Sequence, residues 1–150
     1  MKKTICFMGM GLLLVSMVLV SCAPMQKTII TKDNLSALKG TWSGWMVTAS
    51  NLTALATLEI YNDTVPVKGK ITLENIPQPI ADYIPADEFP PGAKQAVIPF
   101  NNGKISDQGT LVGQSGMNFL RLTYYAGEKP KLDGWLFFYG LEGTLTVNKK

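Results

Sequence analysis

The chain has 150 residues, 14 Lys and Arg against 11 Asp and Glu for a formal charge of +3, two cysteines and no histidine. Without histidine there is no Ser-His or Cys-His nucleophile pair, no imidazole base and no His-ligated zinc. No Gly-rich phosphate loop, Walker-type sequence or EF-hand ligand string occurs either, so no metal or cofactor is expected.

Lys2 and Lys3 precede an uncharged run from Thr4 to Ser21, the charged and apolar regions of a secretory signal rather than part of a fold. An ordinary signal cut after Ser21-Cys22-Ala23 would leave Pro24 just beyond it, where proline is disfavoured. Leu19-Val20-Ser21-Cys22 instead resembles the lipobox of bacterial lipoproteins: an aliphatic residue, a tolerant position, a small residue and the required cysteine. The resemblance implies cleavage before Cys22, a diacylglycerol on its sulfur and an acyl chain on the new amino group. Two or three such chains exceed what stable anchoring needs. Ala23 after the cysteine, where aspartate would imply inner-membrane retention, points by resemblance to the periplasmic face of an outer membrane. The competing reading keeps residues 4–21 as a transmembrane anchor; at 18 residues they fall slightly short of the roughly 20 such a helix uses.

Loss of residues 1–21 leaves 129, enough for one core. Two lysines leave with the signal, so 12 bases face 11 acids, a formal +1 that is no argument for nucleic acid. By that resemblance Cys6 would depart and Cys22 would carry lipid, which implies neither disulfide nor free thiol in the exported domain. The expected divisions are a signal over 1–21, a lipidated tether over 22–31 and a β domain over 32–150.

Lys32 to Gly40 reads as a short helical turn capped by Asp33 or Asn34 and ended by Gly40. Strands follow over Trp42–Ala49, Ala54–Tyr61 and Val67–Glu74, the last a clean alternation of apolar and polar residues. Ala96–Phe100 precedes Asn101-Asn102-Gly103-Lys104, where Asn-Gly predicts a hairpin turn. Gly109–Gln114, Met117–Ala126, Leu132–Tyr139 and Leu141–Val147 bring the strands to about eight. Eight short antiparallel strands lose both edges by closing into an up-and-down barrel.

Leu38-Lys39-Gly40-Thr41-Trp42 resembles the Gly-x-Trp opening of lipocalins and other calycin barrels, which implies a turn at the barrel base covered by the tryptophan. Lipocalins also set a basic residue of a late strand against that tryptophan, whereas the sole arginine, Arg121, falls two strands before the end.

Ile76 to Ala93 breaks the strand rhythm with five prolines and with Asp82, Asp87 and Glu88 among Ile80, Tyr83, Ile84 and Phe89. It reads as a lid on the barrel mouth, a partner loop presenting Tyr83, Ile84 and Phe89, or an ordered excursion packed on its own scaffold. Trp135 to Tyr139 is apolar on both alternating faces, so one face remains over after the core is filled.

The expected protein is therefore a non-enzymatic, lipid-anchored binding module of the cell envelope, holding a small apolar ligand or envelope component against Trp42, Trp45, Tyr124 and Trp135. A structural or protein-interaction lipoprotein with a filled barrel, working through the loop over 77–91, is the alternative. A carboxylate hydrolase is the third reading, but no spacing singles out a catalytic pair.

Overall fold

The computed structural model describes residues 25–150; the signal expected over residues 1–21 and the expected lipidation site Cys22 lie outside the described residues. Nine strands form in chain order: β1 (Gln26–Thr28), β2 (Gly40–Thr48), β3 (Thr53–Ile60), β4 (Val67–Glu74), β5 (Gln95–Ile105), β6 (Leu111–Ser115), β7 (Asn118–Ala126), β8 (Lys131–Phe138) and β9 (Leu141–Lys149). Each strand from β2 to β9 pairs antiparallel with the next, and β9 returns to β2 through Trp42↔Lys149 to Thr48↔Gly143. The result is a closed eight-stranded barrel, joined most narrowly between β5 and β6 through Lys104↔Val112 and Ile105↔Leu111.

Alternation decides which side chains fill it. Leu58 and Ile60, Ile71 and Leu73, Ile98 and Phe100, Leu120 and Leu122, Leu136 and Phe138, and Leu145 and Val147 are all buried. Of the side chains between them, Glu59, Arg121 and Thr146 face out, Thr72 is covered and Phe137 is apolar; the apolar interior is the reverse of the polar lumen of a barrel that spans lipid. Inward glycines let the wall bend: a Cβ on Gly134 would stand 2.1 Å from the Arg121 carbonyl oxygen.

The barrel has two distinct ends. At the base, a 3-10 helix (Lys32–Ala37) crosses beneath the strands and buries Leu35, with Ile30 and Leu38 buried on either side of it. The N-cap is Thr31 rather than Asp33 or Asn34, and Asn34 braces the entry by accepting the Thr31 N–H at 2.8 Å and donating to the Ile29 carbonyl at 2.9 Å. Trp42 lies fully buried above, its indole N–H donating to the Leu38 carbonyl at 2.8 Å. Tyr124 meets it edge-on with centroids 6.3 Å apart. Lys149 Nζ, on the last strand, sits 5.4 Å from the Trp42 ring and donates to the Ala37 carbonyl at 2.6 Å. The cation against the tryptophan is thus a lysine; Arg121 lies midway along β7, paired with Trp135.

Two expectations are corrected. Asn101-Asn102-Gly103 makes no turn: β5 runs through it, and the register from Val67↔Gly103 to Gly69↔Phe100 sets two steps of β4 against three of β5, a bulge. Asn102 Oδ1 accepts the Gln114 N–H there, and a Cβ on Gly103 would be 2.7 Å from the Val67 carbonyl oxygen, so this glycine serves close approach and not a turn. The chain reverses instead at Ser106–Thr110, with Gly109 at φ +66°. Nor do residues 26–28 hang free in a tether. β6 pairs with β7 only as far as Leu122, and β1 occupies the vacated side through Gln26↔Ala126 to Thr28↔Tyr124. Among the described residues all strands and the core cluster lie within residues 26–149, so the barrel is built without residues 1–24.

The base depends on the indole N–H. Trp42→Phe strips the Leu38 carbonyl of its buried partner and costs about 1–3 kcal/mol. Trp45→Phe, on the exposed outer face, stays within about 0.5 kcal/mol; urea unfolding of the two variants measures the contrast.

Candidate functional site

The barrel interior is closely packed. The void bounded by Ile71, Ile98, Phe100, Gly113, Leu120 and Leu136 measures about 10 Å³, room for one water molecule at most. The four residues expected to form one ligand wall are divided between two sides of the sheet. Trp42 and Tyr124 are core, whereas Trp45 is 53% exposed on the outer face. Trp135 lies outside as well, stacked on Phe137 at 5.9 Å and meeting Phe119 at 5.5 Å. Its indole N–H donates to Glu142. The surplus apolar face is this outer ladder over β7 and β8.

The mouth, opposite the base, is built by the long β4–β5 connection and the tight turns joining β6 to β7 and β8 to β9. The connection is ordered despite its prolines: Gln78–Ala81 forms one helical turn, Ile80 and Ile84 are buried, and Ile76 and Phe89 pack against the core. Of the three residues expected to meet a partner, Ile84 and Phe89 therefore point inward as a plug. Tyr83 is 53% exposed and available. Burial of each aliphatic plug residue stabilises by about 1.5–3 kcal/mol, which holds a segment that makes no ladder bonds.

Beside the plug is an open notch of about 350 Å³ lined by Glu88, Pro99, Ser115, Gly116, Met117, Asn118 and Tyr139. Two reversals shape it. Gly116-Met117 joins β6 to β7 with φ +55° at the glycine and leaves Met117 72% exposed. Tyr139-Gly140 joins β8 to β9 with both residues at positive φ, +46° and +87°, as a two-residue hairpin of matching twist requires. Asn118, buried in β7, fixes this turn by accepting the Tyr139 N–H on Oδ1 at 3.0 Å. Burial first, and then the Glu88 carboxylate, raise the pKa of the Tyr139 phenol above its ordinary 10.0. Glu74, Asp82, Asp87, Glu88 and Glu142 surround the mouth against Lys94, giving it an acidic rim.

Carboxylates on the wall and at the mouth each have partners of their own. Glu59 pairs with Lys70 at 3.1 Å, Asp133 accepts from Thr146, and Asp82 accepts from Gln78 at 2.7 Å. Among the described residues no three Asp or Glu side chains converge as a metal cage would require. The sequence places Tyr139 at the end of the Leu132–Tyr139 strand and in the apolar Trp135–Tyr139 run, and Asn118 on one face of a strand, without marking either as a site residue. The aromatic-glycine pair between two apolar runs was the available signal for the turn.

Tyr139 offers a direct check on the rim. The folded chain favours the protonated phenol, so the stability tied to it is complete below pH 10 and is lost as pH rises through the raised value. Difference titration at 295 nm against Tyr139→Phe should find this phenolate late, and Glu88→Gln should move it back toward the ordinary value. Comparison with protein-family models, curated proteins and solved structures finds nothing that matches this chain.

Proposed function

We propose that this chain is a bacterial lipoprotein of the cell envelope, acylated at Cys22, whose barrel is a non-catalytic scaffold presenting its acidic mouth to a protein partner. The lipobox-like Leu19-Val20-Ser21-Cys22 supports the anchor, and Ala23 favours the periplasmic face of an outer membrane. Lys149 against Trp42 supports a calycin-like base, since that is the place of the basic residue in lipocalins.

The observation that carries the partner reading is the contrast between a filled interior and an ordered, exposed mouth. Tyr83 and Met117 stand out of the surface there, among Asp82, Asp87 and Glu88. Exposed aromatic and thioether groups supply contact area, and the acidic rim selects a basic counterpart. A second reading rests on the notch, whose volume suits a small molecule. With Glu88 and Tyr139 in its lining, that ligand would carry an amine.

Cys22→Ser should abolish acyl labelling and membrane retention; membrane association that survives it would assign residues 4–21 to a transmembrane helix. A photo-crosslinking residue at position 83 should then yield a discrete adduct in cells, absent from position 57 on the barrel wall. Charge reversal at Asp82, Asp87 and Glu88 together should reduce that adduct severalfold. No adduct at either position, or equal adducts at both, would remove the partner reading.

A further inference from the structure

Topology sorts the charges of this barrel by end. Of the 12 bases and 11 acids after residue 21, ten bases and six acids lie toward the base. One base and five acids lie toward the mouth, and Arg121 is midway. The ends thus carry formal charges of +4 and −4, cancelling in the composition, where the whole domain reads as +1. Eight-residue strands at the usual tilt separate the ends by about 20 Å, beyond the screening length of about 8 Å at physiological salt. A partner at one end feels that end.

At the base, Lys39, Lys70 and Lys131 face Asp63, Glu59 and Asp133, and Lys149 is held over Trp42. Lys27, Lys32, Lys68, Lys104, Lys129 and Lys150 have no ion-pair partner among the described residues. Four exposed large apolar side chains share this end: Met25 and Ile29 beside β1, and Tyr61 and Val65 in the turn between β3 and β4. They flank the 3-10 helix. Ile29 lies against Gly109 on one side, and Lys39 reaches Asp63 in the Tyr61–Val65 turn on the other. Lysines alternating with exposed aliphatic and aromatic groups match a lipid interface, where the ammonium meets phosphate and the apolar tip enters the headgroup layer.

The chain's own path supplies the occupant. β1 starts at the extreme base, with Gln26 opposite Ala126, and Cys22 precedes it by four residues, a reach of at most about 14 Å. From these placements we infer that the base of the barrel is a membrane-facing surface, seated on anionic phospholipid headgroups. This inference rests on acylation of Cys22, which brings the base to the bilayer; the charge and the apolar groups then fix which way the barrel stands. The acidic mouth points away from the lipid, repelled by the same surface that attracts the base.

The test uses the acyl-free chain beginning at Ala23, co-sedimented with vesicles of phosphatidylcholine alone or mixed equally with phosphatidylglycerol. Binding should be about tenfold stronger to the anionic vesicles and should fall steeply between 50 and 500 mM salt, on the order of what several lysine contacts give. The triple reversal Lys32→Glu, Lys68→Glu and Lys129→Glu should abolish the preference, and Lys94→Glu at the mouth should leave it intact. The salt series needs no variant, so it stands if the triple variant fails to fold. Equal binding to both vesicles, equal loss from Lys94→Glu, or a salt-sensitive dimer that forms in place of vesicle binding would overturn the assignment. Acyl labelling of the full chain separates the two claims: labelling without anionic preference removes the seating alone, and anionic preference without labelling removes the lipoprotein reading.

Discussion

The closing ladder between β2 and β9 is the constraint from which the other features follow. Seven registered pairs, Trp42↔Lys149 through Thr48↔Gly143, convert an eight-stranded meander with two raw edges into a cylinder of fixed circumference. A fixed circumference sets an interior volume that inward side chains must match. Phe100, Phe138, Trp42 and the branched aliphatics fill it, and glycine at 44, 69 and 134 leaves room for a carbonyl of the neighbouring strand that a Cβ would strike. Open space and exposed apolar groups are consequently found at the ends and on the outer wall.

The two ends close by different means, which makes the barrel directional. Short connections and a 3-10 helix seal the base around Trp42, whose hydrogen bond to Leu38 ties helix to barrel and whose ring carries Lys149 from the last strand. β2 and β9 are thereby locked at the same point. The mouth is closed by a proline-rich segment that contributes no ladder bonds and is held by Ile84 and Phe89 packed into the core, with Ile80 buried beside them. Its prolines reduce the freedom the chain loses on ordering, so a few buried side chains suffice to hold it. The cost of that economy is exposed backbone and side chain on the outer surface, around Tyr83 and the acidic rim.

Much of the architecture was readable because a period of two is local information. Val67 to Glu74 shows its buried and exposed faces directly, and the strand count follows from such runs and the turns between them. Asn101-Asn102-Gly103 misled because asparagine and glycine have a second use: Asn102 replaces a missing ladder acceptor for Gln114, and Gly103 permits close approach to Val67. Ladder partners twelve residues away leave no mark on the local pattern. The cation over Trp42 escaped for a related reason. Lys149 is one of many lysines, and only the return of β9 to β2 brings it within 5.4 Å of the ring. Tyr83, Ile84 and Phe89 likewise read as one apolar set until packing turned two inward and left one outside.

By itself the sequence determined the all-β class and carries the lipobox-like Cys22 on which the proposed anchor rests. Each of these depends on residue identity at short range. The tertiary structure decided that the barrel interior is full, that Trp42 and Tyr124 are core while Trp45 and Trp135 face out, and that ten bases gather at the end where the chain enters. Those facts depend on strand register and closure, which juxtapose residues more than a hundred positions apart. A formal charge of +1 spread along the sequence becomes +4 and −4 at opposite ends only when antiparallel strands bring every other turn to the same side.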